Sequence, residues 1–517
     1  MALLSDSWTL DFGVILLAVF GVAYAFFTRN YRKWEKKGIP FLKPLPFVGN
    51  FKDMVLAKRN IGEIIQEAYE KGKGKPFIGI FAFDQPMLVI RDLDVVKTVL
   101  VKDFNYFMDR NFSLDEDADP LVGRTLFSIN GNRWRHLRMK LSPTFTSGKL
   151  KKMFEFVDEC GKELVTCVNK YSDDGKIEVK ETMARYTTDV IASCIFGIQG
   201  NALRDQNSEF RQVLRKILDF DIVKGIKTAI AFFAPALVKT LKLKVVDDDV
   251  ADYIRNTIWT TVEHRKKNNI VRKDFLDLLM QLRDKGFMEE GESNDHETEP
   301  GKKFELEGDD FVAQAFVFLT AGFETSSTTM SFALYELSLQ PEIQNRLRQE
   351  IRSVLEKYDG KLTYDGLQEM VYLDMVVSET LRKYPVLPFL DRKVLQPYTL
   401  PGTNFTLDKG DVVIISLTGI QYDPQYYPNP ERFDPERFTE ENKRSRPNYS
   451  YMPFGEGPRI CIGMRMGLLQ AKAGLAHLIA NFEVAPCRST PVPMEFDAKS
   501  ALLSAKGTLQ LGIRRIT

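Results

Sequence analysis

The sequence predicts a mainly α protein with a minor β portion, held to a membrane by one N-terminal helix. Three observations lead there. The first 27 residues contain no Lys or Arg, and a basic collar follows them. Long charged-amphipathic windows recur at 149–170, 205–218, 250–268, 341–358 and 464–480, the pattern of helices with one buried face. Runs of β character are few and short, at 77–83, 87–90 and 412–417, with Asp84-Gln85-Pro86 as the turn between the first two.

Composition bounds the function. A chain of 517 residues suggests about three domains at roughly 150 residues each, although one large α-rich enzyme domain fits equally well. With 44% hydrophobic and 27% charged residues, a sizeable core can form and wholesale disorder is excluded. Lys+Arg 71 against Asp+Glu 70 leaves no global basic field, so nucleic acid is not an expected partner. The five cysteines, at 160, 167, 194, 461 and 487, are too scattered for a disulfide framework or a CxxC metal site.

Residues 12–27 are uncharged and mostly apolar, about 24 Å of helix, and starting at Trp8 lengthens this to about 30 Å, enough to cross a bilayer. A cleaved signal peptide is the rival reading, since Ala23-Tyr24-Ala25 resembles a cleavage site. Signal peptides carry their positive charge before the apolar run, however, whereas Arg29, Arg32, Lys33, Lys36 and Lys37 follow it. The expectation is an uncleaved anchor over 1–28, with the rest of the chain on the cytoplasmic side. The sequons at Asn111, Asn404 and Asn448 are then expected to be unmodified and the thiols reduced. Residues 29–50, with three prolines at 40, 44 and 46, read as a stiff, non-helical hinge. Residues 51–517 form the body.

Within the body, 289–300 has no large apolar residue and reads as a solvated loop. Residues 222–243 are apolar with spaced lysines and a break at Pro235. They read either as a packed helix pair or as a second patch lying on the membrane.

The chemistry concentrates near the C-terminus, in Phe454-Gly455-Glu456-Gly457-Pro458-Arg459-Ile460-Cys461-Ile462-Gly463. Taken alone, Cys461 reads as a buried packing residue. Its setting changes that reading. The glycines and proline favour a tight loop, Arg459 is a fixed charge two residues before the thiol, and a helical pattern begins after Gly463, which together bias the thiol towards thiolate. Residues 310–339 read as one long apolar helix interrupted by Gly322, Glu324, Thr325 and Ser326, either a capped packing defect or a functional site. Glu379 and Arg382 stand three apart on one helical face, and Trp134 and Arg138 stand four apart on another.

The spacing Phe-x-x-Gly-x-Arg-x-Cys-x-Gly resembles the haem-binding loop of the cytochrome P450 family. Ala321-Gly322-Phe323-Glu324-Thr325, Glu379-x-x-Arg382 with Pro435-Glu436-Arg437-Phe438, and Trp134-x-x-x-Arg138 match its other motifs in order, so the likeness spans roughly residues 30–517. It is greatest to microsomal xenobiotic-metabolising members, especially the insect detoxification group. The resemblance implies a cytochrome P450 fold with one transmembrane helix, a haem b cofactor (iron protoporphyrin IX) and Cys461 as the iron ligand. The electronic reason is that a thiolate pushes electron density onto iron and favours O–O cleavage. It further implies that Arg459, Trp134, Arg138, Arg392 and, more weakly, Arg110 meet the haem propionates, that Phe454 shields the sulfur, and that Gly463 completes the loop. Ala321 and Gly322 would let ligand approach the long helix, Thr325 would donate to dioxygen, and Glu324 would relay protons. Glu379, Arg382 and Arg437 would form a structural network.

The implied function is an endoplasmic-reticulum monooxygenase that inserts one oxygen atom into lipophilic substrates such as plant toxins, insecticides, steroids or fatty acids. Its implied partners are NADPH-cytochrome P450 reductase, which supplies electrons from NADPH, and cytochrome b5. Substrate-lining residues are expected among Phe112, Leu114, Phe127, Phe316, Val386, Leu387 and Phe389, each of which could equally be core. His136, His264, His296 and His477 have no ligand-like context. The alternatives are a haem-thiolate isomerase or dehydratase working without a reductase, and a non-catalytic haem sensor.

Overall fold

The structure, a computed structural model, describes residues 8–516 apart from 173–174, 219–221, 234–237, 239, 273 and 286–305. The polar stretch 289–300 and Pro235 therefore lie outside the described residues. The helices that bear on the site are α1 (Trp8–Thr28), α2 (Ile61–Lys71), α3 (Gly131–Leu141), α4 (Ser147–Ser172), α5 (Val179–Ile191), α6 (Ile222–Phe233), α7 (Gly308–Leu339), α8 (Val371–Lys383) and α9 (Met464–Asn481). The strands are β1 (Phe77–Ala82), β2 (Gln85–Ile90), β3 (Lys176–Glu178), β4 (Phe389–Lys393), β5 (Tyr398–Thr399), β6 (Thr406–Leu407), β7 (Val412–Ser416), β8 (Phe482–Pro486) and β9 (Gln510–Arg515).

Two apolar cores organise the body. One is helical and is threaded by α7, which is buried along most of its length. Asp309 and Asp310 in its first turn complement the helix dipole, and Pro341 beyond its end cannot continue the same helix. The other core lies on a sheet of order β1-β2-β7-β4, covered by α2. That helix starts at a capping box, with Asn60 accepting from the Glu63 amide at 3.0 Å and Glu63 accepting from the Asn60 amide at 2.8 Å. Strand β4 pairs antiparallel with β7, so that Arg392 lies opposite Val413; β4 thereby brings a guanidinium to the border between the cores.

The turn between β1 and β2 is shorter than expected. Ala82 pairs with Gln85 and Phe81 with Pro86, leaving Phe83 and Asp84 at the tip. The second sheet, of order β3-β9-β8, was not visible in the sequence, because its three short segments are far apart in the chain.

Helix α1 is the one helix among the described residues that is long and apolar enough to cross a membrane, with a mean hydropathy of 2.2. Its apolar side chains face outwards, Leu17 being 73% and Val22 72% exposed. The segment after it, expected to be a stiff, non-helical hinge outside the core, is instead packed into the body and holds a helical turn at Lys33–Lys36. Trp34 is completely buried, its Nε1 donating to the Ile80 carbonyl at 3.2 Å. Arg29 donates to Asp84 Oδ2 at 3.0 and 2.6 Å, and Lys33 pairs with Asp411. Gly79 exchanges backbone bonds with Pro40 at 2.7 Å and Leu42 at 2.9 Å. Phe47 packs against Phe20, Tyr24 and Phe27 of α1 at ring separations of 5.4, 6.1 and 5.8 Å. A buried indole and paired backbone make residues 29–50 an extension of the sheet.

Of residues 222–243, the described ones are partly buried and partly exposed. Ala231 and Val238 are buried against Phe112 and Leu114, whereas Val223 and Leu241 point outwards.

Replacing Trp34 by Ala is expected to destabilise the body by about 3–5 kcal/mol, seen as a lower urea midpoint for the solubilised protein. An unchanged midpoint would mean that the segment is loose.

Candidate active site

The loop before α9 is built around its thiol. The Cys461 amide donates to the Phe454 carbonyl at 2.9 Å, closing the turn. Gly457 adopts φ +74°, and a Cβ there would lie 2.0 Å from the Leu100 carbonyl oxygen, so only glycine fits. The amides of Gly463, the residue capping α9, and of Met464, its first residue, bond to the sulfur, as helix N-termini do towards anions. Cys461 is enclosed by protein and yet keeps accessible surface, so it faces an internal cavity. Burial raises its pKa, opposed by those two amides and by Arg138 and Arg110. Arg459, expected from its proximity in sequence to support the thiolate, is not among these leading influences.

Arg459 turns instead to the opposite wall. Its Nε donates to the Met108 carbonyl at 2.6 Å and its Nη2 to the Ile129 carbonyl at 3.1 Å. Its guanidinium stacks over Trp134 at 4.2 Å. Arg110, Arg138, Arg392 and Arg459 arrive from a loop, α3, β4 and the cysteine loop respectively. Burial and the guanidiniums of Arg110 and Arg392 push Arg459 down to about 8. Burial followed by Arg110 pushes Arg392 down to about 10. Asp109, 3.8 Å from Arg459, and Asp391 are the carboxylates that oppose the shift of Arg459. Arg459 Nη1 and Arg392 Nε are buried donors without a partner. The Arg138 guanidinium makes no hydrogen bond or ion pair among the described residues. Such orphaned donors are costly, and an anion with two carboxylates on the cavity side would complete them.

Helix α7 passes the same region. Ala321 is exposed although α7 lies in the core, and Glu324 and Thr325 keep part of their surface. Thr325 Oγ1 donates back to the Ala321 carbonyl at 2.7 Å. Burial raises the Glu324 pKa, with Lys180 and then Arg211 opposing. Gly322 lets α5 approach closely, since a Cβ there would meet Ile191 Cδ1 at 2.6 Å.

Away from the cavity, Glu379 and Arg382 are fully buried and paired through two bonds, Nε to Oε2 at 2.7 Å and Nη2 to Oε1 at 2.9 Å. Arg437 Nε lies 3.5 Å from Glu379 Oε1 without a hydrogen bond, while its Nη2 donates to the Pro428 and Asn429 carbonyls at 2.8 and 3.0 Å. Arg382 also donates to the carbonyls of Gln421 at 3.0 Å and Pro430 at 2.8 Å. The group therefore ties α8 to the segment leading into the cysteine loop.

Phe112, Leu114, Phe316, Val386 and Phe389 are buried, and Phe127 and Leu387 are half-buried. Phe112 contacts Phe127 at 5.7 Å. The link from that pair to Phe389 is Phe232 on α6, 4.7 Å from Phe112 and 6.4 Å from Phe389. Phe232 was missed because its segment reads as a helix pair or membrane patch. Asn111, seen in the sequence only as a sequon, is buried and donates through Nδ2 to the Phe232 carbonyl at 2.6 Å. His477 pairs with Asp158 at 2.9 Å, and His296 lies outside the described residues. Among the described residues no cluster of three His, Cys, Asp or Glu could hold a metal.

One protein thiol on a cavity, guanidiniums short of carboxylates and a helix face opened by Ala321 define a haem-thiolate class of site, and the donor set fits iron protoporphyrin. The comparisons agree. The Cytochrome P450 family model matches residues 39–512, and the chain belongs to that family. It is 47% identical to Cytochrome P450 6k1 of Blattella germanica over 503 residues, covering 96% of each chain. It is 44% identical to Cytochrome P450 6j1 of the same insect, covering 98% of this chain and 99% of that one. It is 42% identical to Probable cytochrome P450 6a14 of Drosophila melanogaster, covering 96% and 98%. The fold is the P450 fold, and the protein is a monooxygenase-family oxidoreductase similar to these insect relatives.

Removing one partner of a buried ion pair leaves the other charge uncompensated, so Glu379→Gln is expected to cost about 3–5 kcal/mol and to lower haem content after expression. Pyridine haemochrome assay and thermal unfolding check this; wild-type values in both would detach the network from the site.

Proposed function

We propose that this protein is anchored in the endoplasmic reticulum membrane by α1, with its body on the cytoplasmic face, and oxidises lipophilic xenobiotics with electrons from NADPH. The observation that carries the reading is the Cys461 thiol facing the cavity that α7 borders. The bound haem would supply reductive activation of dioxygen, one atom entering the substrate and the other leaving as water, with two electrons and two protons consumed. In this reading Cys461 would ligate the haem iron as its thiolate, held by the loop amides, and Arg110, Arg138, Arg392 and Arg459 would hold the two propionates. Trp134 braces Arg459, Phe454 shields the sulfur, and Gly463 leaves room beside it.

Thr325 and Glu324 are the proton-handling pair. Thr325 Oγ1 rests on the Ala321 carbonyl and can swing its hydroxyl into the cavity by one side-chain rotation. Glu324 holds its proton to higher pH than an ordinary carboxylate because it is buried, which suits a donor. Phe112, Phe127, Phe316, Val386 and Phe389, joined by Phe232, supply an apolar and aromatic wall that excludes water and favours bulky lipophilic substrates. NADPH-cytochrome P450 reductase is the proposed electron donor and cytochrome b5 an auxiliary one. They would dock on the thiol side, where Arg465 is exposed. Lys443 is paired with Glu440 at 3.2 Å, and Arg446 stacks on Phe438 at 4.3 Å, so neither is free to serve that surface. The Glu324-Thr325 pair favours this reading over a reductase-independent isomerase.

Product formation is expected to require both NADPH and reductase; turnover with neither would establish the isomerase reading. Thr325→Ala should raise NADPH consumption per product, and unchanged coupling would remove Thr325 from the oxygen step. Because the raised pKa of Glu324 keeps the donor protonated further up the pH scale, coupled turnover should be full below that pKa and fall as pH rises through it. Glu324→Gln should abolish that limb of the pH profile, and persistence of the limb would assign it to another group.

A further inference from the structure

The turn of α7 that borders the cavity is bonded unlike an ordinary helix. Five consecutive carbonyls, from residue 321 to residue 325, each accept a hydrogen bond from a side chain. Ala321 takes Thr325 Oγ1 at 2.7 Å, Glu324 takes Ser327 Oγ at 3.0 Å, and Thr325 takes Thr329 Oγ1 at 2.8 Å. These three donors lie on α7 itself and are the familiar back-bonding of helical Ser and Thr. The two between them come from other helices. Gln470 Nε2 of α9 donates to the Gly322 carbonyl at 2.8 Å and to Ser326 Oγ at 2.5 Å. Thr187 Oγ1 of α5 has the Phe323 carbonyl at 2.9 Å, closer than the Met183 and Ala184 carbonyls of its own helix at 3.1 and 3.2 Å.

Both donors are completely buried, and Gln470 Oε1 has no partner. A buried amide that satisfies one end at the expense of the other is retained against a desolvation cost. The approach is possible because α5 packs directly on Gly322. Within a helix the carbonyls of 322 and 323 would otherwise serve the amides of 326 and 327 alone. Sharing them with outside donors draws the carbonyls away from the axis and loosens those amides. Gln470 also lies on the helix that begins just after Cys461, so it links the thiol loop directly to the turn carrying Glu324 and Thr325.

We propose that Thr187 and Gln470 are positioning residues for the oxygen-side turn, holding the carbonyls of Gly322 and Phe323 outwards so that Glu324 and Thr325 stay directed at the cavity with the amides of 326 and 327 loosened. The inference rests on the monooxygenase reading. Neither residue touches substrate or cofactor.

The test uses the haem-loaded full chain with Thr187→Val, Thr187→Ser and Gln470→Met, which keep side-chain volume close to the original. Amide hydrogen exchange is read by mass spectrometry across 318–330 without NADPH or reductase, and product per NADPH is read with both. Loss of one outside donor lets the helix close, so exchange at 326 and 327 should slow in Thr187→Val and Gln470→Met. Coupling should fall roughly fivefold, the factor expected from one such hydrogen bond, with peroxide released in proportion. Thr187→Ser keeps the hydroxyl and should recover coupling. Equal or faster exchange in the valine and methionine variants, unchanged coupling, or a serine variant that behaves like valine each overturns the proposal. A wild type that makes no product with reductase overturns the monooxygenase reading instead, and exchange still decides the positioning role.

Discussion

Four guanidiniums brought into one interior around a single thiol are the constraint on which the rest of the structure depends. Like charges repel strongly where water is excluded, and here, beyond burial itself, Arg110 and Arg392 depress Arg459, Arg110 depresses Arg392, and Arg138 depresses Arg110. They come from four separate parts of the chain, so each supporting element has to be in register for the cluster to exist. Strand β4 must pair with β7, α3 must present Arg138, and the cysteine loop must close on Leu100. A dianion on the cavity side would turn this unfavourable arrangement into a recognition feature.

The other elements can be understood as serving that centre. The Glu379–Arg382 pair is bidentate and fully dry, a geometry that fixes orientation more than it adds stability. Helix α7 contributes a further wall, and its polar turn, within an unbroken helix, is supplied with donors by α5 and α9. Trp34 and the Phe47 rings fasten α1 to the sheet, so the membrane helix and the body share one frame and the body is not left swinging on a linker.

Much of this was legible in the sequence because it depends on spacing. Cys461 in its glycine loop, the long helix with its polar interruption, and the pairs at Trp134 and Glu379 all declare themselves over a few residues. What could not be read depends on long-range contact. Arg459 is next to the thiol in sequence and yet bonds to Met108 and Ile129, whereas the charges that support Cys461 come from Arg110 and Arg138. Prolines at 40, 44 and 46 suggested a hinge, and only the buried environment of Trp34 shows otherwise. Phe232 and Asn111 became visible as wall residues only once α6 was placed over Phe112. The pairing of β3, β8 and β9 likewise joins segments that no local pattern connects.

On the proposed reading the guanidinium cluster balances two carboxylates of the group that Cys461 would ligate. The most direct measurement is the affinity of the haem-free protein for haem compared with haem dimethyl ester, which keeps the iron and the ring but carries no carboxylate charge. Charge-assisted hydrogen bonds contribute about 1.5–3 kcal/mol each, so the ester should bind at least roughly tenfold more weakly, with the deficit shrinking in Arg392→Met and Arg459→Met. Equal affinity for the two forms would contradict the account.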